Sequence, residues 1–260
     1  MKETIKMIVT DLDGTLLRTD KSISEDTRTT LYRCREAGIK LAFATGRGGS
    51  SELIAPSELF DARININGAI AKIGDEVVYS RLIPYMTARP ILMACDENGI
   101  KIASENGNMH YVNFVVSDVW EYVTSYKFVD FSQHDMDAEK IYTPNPTPED
   151  MSFIQKLLPD DLYSVVTIDA KGCIGQVMHK DATKGKAVEE LARIWGIPRS
   201  EIVAFGDDFN DIDMLAFAGI GVAMENAVGE AIAAADFVCS SNDEDGLAEW
   251  IKTRIFGESA

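Results

Sequence analysis

The sequence has few of the residues that mark secreted, membrane or zinc-binding proteins. It contains only four cysteines among 260 residues, and no two of them form a Cys-x-x-Cys pair. This pattern argues against a disulfide framework or a zinc site and favours reduced thiols in the cytoplasm. No apolar run is long enough to span a bilayer, and Met1-Lys2-Glu3-Thr4 leads into a strand-like segment without a leader. We therefore expect no membrane role.

Positive charge is also scarce. The chain has 25 Lys and Arg residues against 42 Asp and Glu residues, which gives a formal net charge of -17. Because such a surface repels phosphodiester backbones, we expect no nucleic acid partner. A small anionic substrate is compatible with this charge, since a metal ion and one or two basic side chains supply a local positive potential. With 46% hydrophobic residues and eight scattered prolines, the chain is expected to fold over its whole length. Its composition does not indicate an oligomeric state.

Short apolar runs alternate with amphipathic segments at both ends of the chain. The run Thr4–Thr10 predicts a buried strand, and Ser22-x-x-Glu25 predicts a capping box that opens the next helix. This rhythm predicts an α/β fold with a doubly wound parallel sheet. The rhythm breaks from about Pro84 to Met178, where helices and short strands are punctuated by proline. We predict a core domain of residues 1–83 and 180–260 and an inserted α+β cap domain of residues 84–179.

Residues suited to catalysis follow the predicted strands. Residues i and i+2 of an extended chain point the same way, so Asp11 and Asp13 present two carboxylates together at the end of a strand. Two neighbouring acids repel, so the pair needs a cation, a shared proton or full hydration. A hard divalent cation such as Mg²⁺ fits carboxylate oxygens best. Three further elements have the same placement at a strand end or helix start: Thr45-Gly46-Arg47, Lys184-Gly185 and Gly206-Asp207-Asp208-Phe209-Asn210-Asp211.

These side chains match the needs of phosphoryl transfer from a phosphomonoester. Asp11 is suited to act as the nucleophile that forms an aspartyl-phosphate, provided that charge is neutralised. Mg²⁺ between Asp11, Asp207 and the phosphoryl oxygens supplies that neutralisation. Lys184 and Thr45 are placed to hold the remaining oxygens, where electrostatic stabilisation matters most. Asp13 is suited to protonate the leaving alkoxide and then to activate water.

Taken in order, the four motifs resemble those of the haloacid dehalogenase superfamily, with its Rossmann-like core. Asn67-Gly68 and Gly221-Val222-Ala223-Met224-Glu225-Asn226-Ala227 further resemble the Cof-type phosphatases, which carry a large α/β cap. The resemblance implies that Asp11 is the nucleophile and that Asp13 is the acid/base residue. It implies that the phosphate is contacted by Thr45, Gly46, Lys184 and Asn210. It also implies that the metal is bound by Asp11, by Asp13 through its carbonyl and by Asp207, with support from Asp211. Asp208 departs from the Asn or Gly of many relatives and has no assigned role.

The sequence thus predicts a cytoplasmic, Mg²⁺-dependent phosphatase that hydrolyses small phosphorylated metabolites, with sugar phosphates as the favoured class. Superfamily members that remove halogens lack the second acid, so Asp13 favours phosphate ester chemistry. Two alternatives stay open: a sugar phosphomutase, and a non-enzymatic phosphoacceptor that keeps its phosphate as a signal. Arg47 is interpreted as a surface or structural cation. The three histidines, His110, His134 and His179, lack metal-ligand spacing and have no assigned role.

Overall fold

The computed structural model of the protein describes residues 4–49, 51, 54–116, 119, 125–169 and 172–258. The chain divides into two compact units, which we call the split unit (Met1–Ser80 and Thr183–Ala260) and the inserted unit (Arg81–Ala182). The predicted domain borders, 83/84 and 179/180, each lie three residues from the borders of these units, which are 80/81 and 182/183. The assignment of the two units as separate domains stays a prediction.

One eight-stranded sheet forms the centre of the split unit. Its spatial order, in strands numbered along the chain, is 14-13-12-1-2-3-4-5. The strands are β1 (Met7–Thr10), β2 (Lys40–Ala44), β3 (Ala62–Asn65), β4 (Ile70–Ile73), β5 (Glu76–Ser80), β12 (Ile202–Gly206), β13 (Ile220–Met224) and β14 (Phe237–Cys239). The six strands from β14 to β3 run parallel, whereas β4 and β5 are antiparallel additions. The carboxyl ends of the parallel strands therefore share one edge of the sheet.

Helices cover both faces of this sheet. They are α1 (Glu25–Glu36), α4 (Lys184–Trp195), α5 (Ile212–Phe217), α6 (Gly229–Ala234) and α7 (Gly246–Ile251). Successive residues of a strand point to opposite faces, so Ile8 of β1 packs in the apolar cluster shared with α1 and α7. Its neighbours Met7 and Val9 pack in the cluster shared with α4, α5 and α6. The predicted doubly wound α/β architecture is confirmed.

The start of α1 differs from the sequence prediction. The predicted capping box at Ser22 and Glu25 is wrong, because Ser24 is the N-cap and its side chain accepts a hydrogen bond from the Thr27 N–H at 3.0 Å. Ser22 is instead held in a local turn, where its backbone N–H and its hydroxyl both donate to Asp20 Oδ1. A serine two residues further along therefore provides the cap.

The inserted unit has its own six-stranded sheet, with spatial order 10-11-9-6-7-8. The strands are β6 (Ala103–Asn106), β7 (Met109–Val112), β8 (Tyr126–Phe128), β9 (Lys140–Pro144), β10 (Leu162–Asp169) and β11 (Gly172–His179). All neighbours are antiparallel except β7 and β8. Helices α2 (Tyr85–Glu97) and α3 (Pro148–Leu157) share one apolar cluster with this sheet. This is the predicted α+β insertion. Among the described residues, no helix has the length and apolar character needed to cross a bilayer.

Candidate active site

Asp11 and Asp207 leave neighbouring parallel strands at the same edge of the sheet. The Asp11 N–H donates to the carbonyl of Phe205 on β12 at 3.0 Å, which continues the β1–β12 ladder by one residue. Asp207 follows the last residue of β12. This edge is where ligands bind in open α/β sheets, so the fold brings the first and fourth motifs together as the sequence predicts.

Lys184 is the first residue of α4 and is completely buried. Its Nζ lies 2.6 Å from Asp11 Oδ1 and 2.6 Å from Asp211 Oδ1. The start of α4 is fixed by Gly68, where a Cβ would come 2.1 Å from the carbonyl oxygen of Thr183. Gly68 also has a φ of +97°, so only glycine suits this position. A lysine 173 residues from Asp11 thus becomes its direct partner.

Asp211 uses both of its carboxylate oxygens. Oδ1 accepts from Lys184, and Oδ2 accepts from the backbone N–H groups of Asp207 and Asp208 at 3.0 and 3.1 Å. Asp211 therefore orients the lysine and closes the turn after β12. Among the described residues, no hydrogen bond reaches Asp11 Oδ2 or Asp207 Oδ2. These two oxygens are the best placed of the cluster to receive a ligand.

The buried cluster holds more negative charge than its single lysine neutralises. Burial raises the pKa of Asp11 well above its usual value, Lys184 opposes that rise, and Asp211 and Asp207 add to it. Burial also raises the pKa of Asp207 to about 7, against a hydrogen bond from Thr15. Burial alone would lower the pKa of Lys184, but Asp11 and Asp211 outweigh it and raise that pKa. Lys184 is therefore charged, and Asp11 and Asp207 hold their protons more strongly than an exposed carboxyl group does.

The donor set of this cluster fits a metal ion. Asp11, Asp207 and Asp211 each place one carboxylate oxygen within 4.8 Å of the others. Hard oxygen ligands of this kind suit Mg²⁺, and a divalent charge would oppose the rise in the pKa values that burial and the neighbouring acids cause. The Thr15 hydroxyl donates to Asp207 Oδ1 at 2.6 Å and fixes the direction of that carboxylate. Gly14 leaves the necessary space, because a Cβ there would come 2.3 Å from Asp207 Oδ2.

Asp13 lies two residues from Asp11, and its carboxylate contacts cations rather than acids. Arg47 forms a bidentate salt bridge with this carboxylate, in which Nε donates to Oδ2 at 2.5 Å and Nη2 donates to Oδ1 at 2.6 Å. Lys21 Nζ adds a contact to Oδ1 at 2.7 Å. Burial works to raise the pKa of Asp13, but the hydrogen bonds from Arg47 and Lys21 outweigh it and lower the pKa to about 2. The predicted acid/base residue is therefore ionised in this arrangement.

The remaining predicted phosphate contacts gather around Asn67. Thr45 is buried, and its carbonyl accepts from the Asn67 N–H at 2.9 Å. A Cβ on Gly46 would come within 3.0 Å of Asn67 Oδ1, and Asn210 Nδ2 donates to that same oxygen at 2.8 Å. Thr45, Gly46 and Asn210 are thus brought together as a small polar group. Their contacts to phosphate stay a prediction.

Three side chains beside these groups carry no site role in the sequence prediction: Thr15, Asn67 and Arg47. Asn67 is the one that the sequence signals, since Asn-Gly after a strand marks a turn with positive φ. Asn67 has a φ of 52°, and its neighbour Ile66 has a φ of 48°, which is rare for a β-branched residue and marks strain. Thr15 and Arg47 are recognised only through their partners, Asp207 and Asp13.

Comparison with known proteins supports the family that the motifs resemble. A family model described as haloacid dehalogenase-like hydrolase matches residues 8–251. The Bacillus subtilis (strain 168) protein named 5-amino-6-(5-phospho-D-ribitylamino)uracil phosphatase YitU is 30% identical over 272 residues, which cover 95% of this chain and 96% of that protein. The match therefore extends over both units rather than over the motifs alone.

Solved structures of similar proteins share the whole fold. BT1666 of Bacteroides thetaiotaomicron, among the phosphatases of the haloalkanoate (HAD) superfamily, has a TM-score of 0.81 at 28% identity, covering 97% of this chain and 96% of that one. BT4131, a HAD subclass IIB sugar phosphatase, has a TM-score of 0.77 at 29% identity and covers 97% and 99%. The chain therefore belongs to the haloacid dehalogenase-like hydrolases, as its motifs predict, and it is a phosphatase-type enzyme of that superfamily.

Proposed function

We propose that this enzyme hydrolyses phosphomonoesters of small metabolites, with Mg²⁺, through an aspartyl-phosphate on Asp11. The observation that carries the proposal is the buried pairing of Asp11 Oδ1 with Lys184 at 2.6 Å, beside Asp207 at the carboxyl edge of the sheet. The pairing leaves Asp11 Oδ2 as the nucleophilic oxygen. It also puts an ammonium group where a phosphoryl group would gather negative charge.

The reaction takes place in two steps. Asp11 Oδ2 forms a bond to phosphorus as the ester oxygen leaves, and Asp13 gives that oxygen a proton. Water then attacks phosphorus, Asp13 takes a proton from this water, and the Asp11 carboxylate is released with inorganic phosphate. Because Arg47 and Lys21 keep Asp13 ionised in the arrangement described, its first role requires these contacts to weaken when the ester is bound.

Charge at the phosphoryl group has three sources of compensation. Asp11 and Asp207, with the carbonyl of Asp13, would hold Mg²⁺, which when bound neutralises the phosphoryl oxygens. Lys184 uses two of its three N–H donors on Asp11 and Asp211, which leaves one for the substrate. Thr45, Gly46 and Asn210 contribute neutral donors. Asp211 supports Lys184, and we assign Asp208, whose side chain accepts from the Phe209 N–H, no catalytic step.

Sugar and polyol phosphates are the substrate class that we favour. Two relatives support it by name, since YitU acts on a phosphoribitylamino compound and BT4131 is a sugar phosphatase. The cytoplasm is the proposed location, and the four unpaired cysteines agree with it. A phosphomutase activity would use the same Asp11 intermediate and transfer it to a sugar hydroxyl, so product analysis must accompany the substrate search.

The decisive experiment is a screen of phosphorylated metabolites with and without Mg²⁺, followed by rapid quenching with a radiolabelled substrate. We expect Mg²⁺-dependent release of inorganic phosphate and transient acid-stable label on a peptide that contains Asp11. Label that accumulates on a sugar bisphosphate instead would establish the mutase. The absence of label from wild-type enzyme during rapid turnover would refute the covalent route.

A further inference from the structure

Three successive residues after β3 adopt left-handed backbone conformations. Ile66, Asn67 and Gly68 have φ angles of 48°, 52° and 97°. Glycine tolerates this region and asparagine visits it, but a β-branched residue such as Ile66 is strained there. Ile66 is also completely buried, so its conformation is fixed by the surrounding structure. We call the segment of residues 66–68 the left-handed turn.

The left-handed turn holds the chain that carries Thr45 and Gly46. The Asn67 N–H donates to the Thr45 carbonyl at 2.9 Å, and the Ile66 N–H donates to the Arg47 carbonyl at 3.0 Å. The Asn67 side chain lies against Gly46, where a Cβ would come 3.0 Å from Asn67 Oδ1. The turn therefore determines both the path of this chain segment and the space beside Gly46.

Asn67 also orients an exposed side chain of the fourth motif. Asn210 Nδ2 donates to Asn67 Oδ1 at 2.8 Å, across 143 residues of sequence. Within the described part of the chain, this is the one hydrogen bond that the Asn210 side chain forms. The bond directs the Asn210 amide toward Gly46, where a Cβ would come 3.7 Å from Asn210 Nδ2. The second N–H of this amide stays available to a ligand.

The groups arranged in this way have donors that the protein does not use. The Thr45 hydroxyl oxygen accepts from the Arg47 N–H at 3.2 Å. Among the described residues, neither the Thr45 O–H nor the Gly46 N–H donates a hydrogen bond, although Thr45 is only 1% exposed. Buried polar groups normally have partners. With the free N–H of Asn210, three neutral donors surround Asn67, and such donors at a turn suit an anion.

A purely structural role explains this arrangement poorly. Stability alone does not require the Asn67 side chain, because glycine adopts a left-handed conformation more readily than asparagine does. The hydrogen bond to Asn210 is exposed, and such a bond contributes little to folding. The strain at Ile66 opposes folding, and backbone strain of this kind is concentrated at functional sites.

We propose that Asn67 is a positioning residue for the phosphoryl group. Its side chain orients the Asn210 amide, and its backbone holds Thr45 and Gly46, so that the unused donors of these three residues face one phosphoryl group. Asn67 acts through these neighbours, and no bond forms or breaks at its own atoms. The inference rests on the phosphatase function proposed above.

The test uses Asn67→Gly, which removes the side chain and keeps a residue suited to positive φ. Kinetics with p-nitrophenyl phosphate and product inhibition by inorganic phosphate are measured on the full-length enzyme. KM and the inhibition constant of phosphate should both rise by about tenfold, the loss typical of one hydrogen bond to a charged group. The value of kcat should change much less. The Mg²⁺ concentration for half-maximal activity should not change, because the acid cluster is left intact.

Asn145→Gly is the matched control. Asn145 lies in the inserted unit, has a φ of 46°, and accepts a hydrogen bond from the Cys173 N–H through Oδ1 at 3.0 Å. This variant therefore also removes an asparagine side chain and one hydrogen bond from a left-handed residue. Its KM and its inhibition constant should equal the wild-type values. The Tm of Asn67→Gly should fall no further than that of Asn145→Gly.

A double variant distinguishes positioning from direct contact. Asn210→Ala should also raise the inhibition constant of phosphate by about tenfold. Because Asn67 acts through Asn210, the double variant should lose about tenfold as well, rather than the hundredfold expected of independent contacts. An unchanged inhibition constant in Asn67→Gly, or a hundredfold loss in the double variant, would overturn the inference. Wild-type enzyme that hydrolyses no ester with Mg²⁺ would instead refute the proposed function, and the inference with it.

Discussion

Asp11 and Asp13 emerge from the same strand end, two residues apart, and their carboxyl groups have opposite electrostatic environments. Burial raises the pKa of Asp11, and the neighbouring Asp211 and Asp207 add to that rise. Lys184 opposes it. Asp13 is partly buried, yet Arg47 and Lys21 outweigh that burial and lower its pKa to about 2. Local sequence gives both carboxylates the same direction, so the difference comes from partners delivered by other elements.

This difference corresponds to the division of labour in the proposed reaction. The buried cluster has more acids than cations, so its charge suits the divalent metal ion and the nucleophile that we propose there. The Asp13 group has more cations than acids, so it holds its carboxylate in place without any metal. One turn of chain therefore serves two charge environments, and each can be perturbed separately.

The largest expected effect comes from removing the nucleophile. Asp11→Asn should lower kcat by a factor of about 10⁴ or more, since an amide cannot form the acyl phosphate. Steady-state kinetics with p-nitrophenyl phosphate measures the loss. Asp20→Asn, an exposed change in the loop that follows, serves as the control and should keep wild-type kcat. Near-normal turnover by Asp11→Asn would show that Asp11 is not the nucleophile. The proposed difference in role between Asp11 and Asp13 would then be wrong.

Lys184→Met should be the next most severe change, because it leaves buried acids without their cation. Breaking a buried ion pair typically costs about 3–5 kcal/mol of unfolding free energy. Urea unfolding of metal-free protein measures this cost, and activity should fall as well. Lys186→Met, two residues along the same helix and exposed, should change stability by less than about 0.5 kcal/mol. Equal stability of both variants would show that Lys184 does not hold the cluster together.

Asp13→Asn should reveal the second role through its dependence on the leaving group. We expect a loss of about 10² or more for alkyl phosphates, whose alkoxides need a proton, and a much smaller loss for p-nitrophenyl phosphate. A series of esters graded by leaving-group pKa measures the slope. A uniform loss across the series would mean that Asp13 only positions other groups or binds the metal. The two carboxylates would then share one role, and the comparison between them would fail.

Much of the split unit was accessible from sequence because its signals are local. Apolar runs, the Gly196 that ends α4 and the four motifs each depend on neighbouring residues, and the edge shared by parallel strands then brings Asp11 and Asp207 together. The roles of Arg47 and Thr15 were not accessible in this way. Each depends on a partner at least 34 residues away, and nothing in the local sequence specifies that partner.

The inserted unit shows the same limit more strongly. His110 has no metal-ligand spacing, and no sequence pattern connects it with Glu105, Lys140 and Tyr142. Their proximity follows from strand register, which pairs Glu105 with His110 on one side and with Lys140 on the other. A shift of one residue in either pairing would turn some of these side chains toward α2 and α3. Register is a tertiary property, so the proximity of these residues is visible only in the sheet.

The two environments should also respond differently to pH. The pKa of Asp207 is raised from 3.8 to about 7 in the folded protein, so the folded state binds more protons and its stability falls as pH rises through that range. Asp13 has a lowered pKa; its contribution is complete above the unfolded value and is lost only as pH falls toward 2. Between about pH 5.5 and 8, the buried cluster therefore lowers stability as pH rises, whereas Asp13 contributes no change.

Thermal melts after EDTA treatment test this difference. The Tm of metal-free enzyme should fall between about pH 5.5 and 8, and Mg²⁺ should raise it more at the higher pH, where its ligands are ionised. Asp207→Asn should flatten the dependence, whereas Asp13→Asn should leave it unchanged over this interval. Equal stabilisation by Mg²⁺ at both pH values would contradict the raised pKa values of the cluster.

The smallest effect that we predict concerns Thr15, which touches only one of the two environments. Its hydroxyl donates to Asp207 Oδ1 at 2.6 Å, so Thr15→Val should leave Asp207 less well oriented and weaken Mg²⁺ affinity by about tenfold, as loss of an outer hydrogen bond to a metal ligand usually does. The leaving-group slope, which reports on Asp13, should not change. Titration of activity with Mg²⁺ measures the affinity. Thr30→Val is the matched control, because the Thr30 hydroxyl donates to the Asp26 carbonyl within α1. A change in slope without a change in Mg²⁺ affinity would show that the two environments are coupled through the turn that joins them.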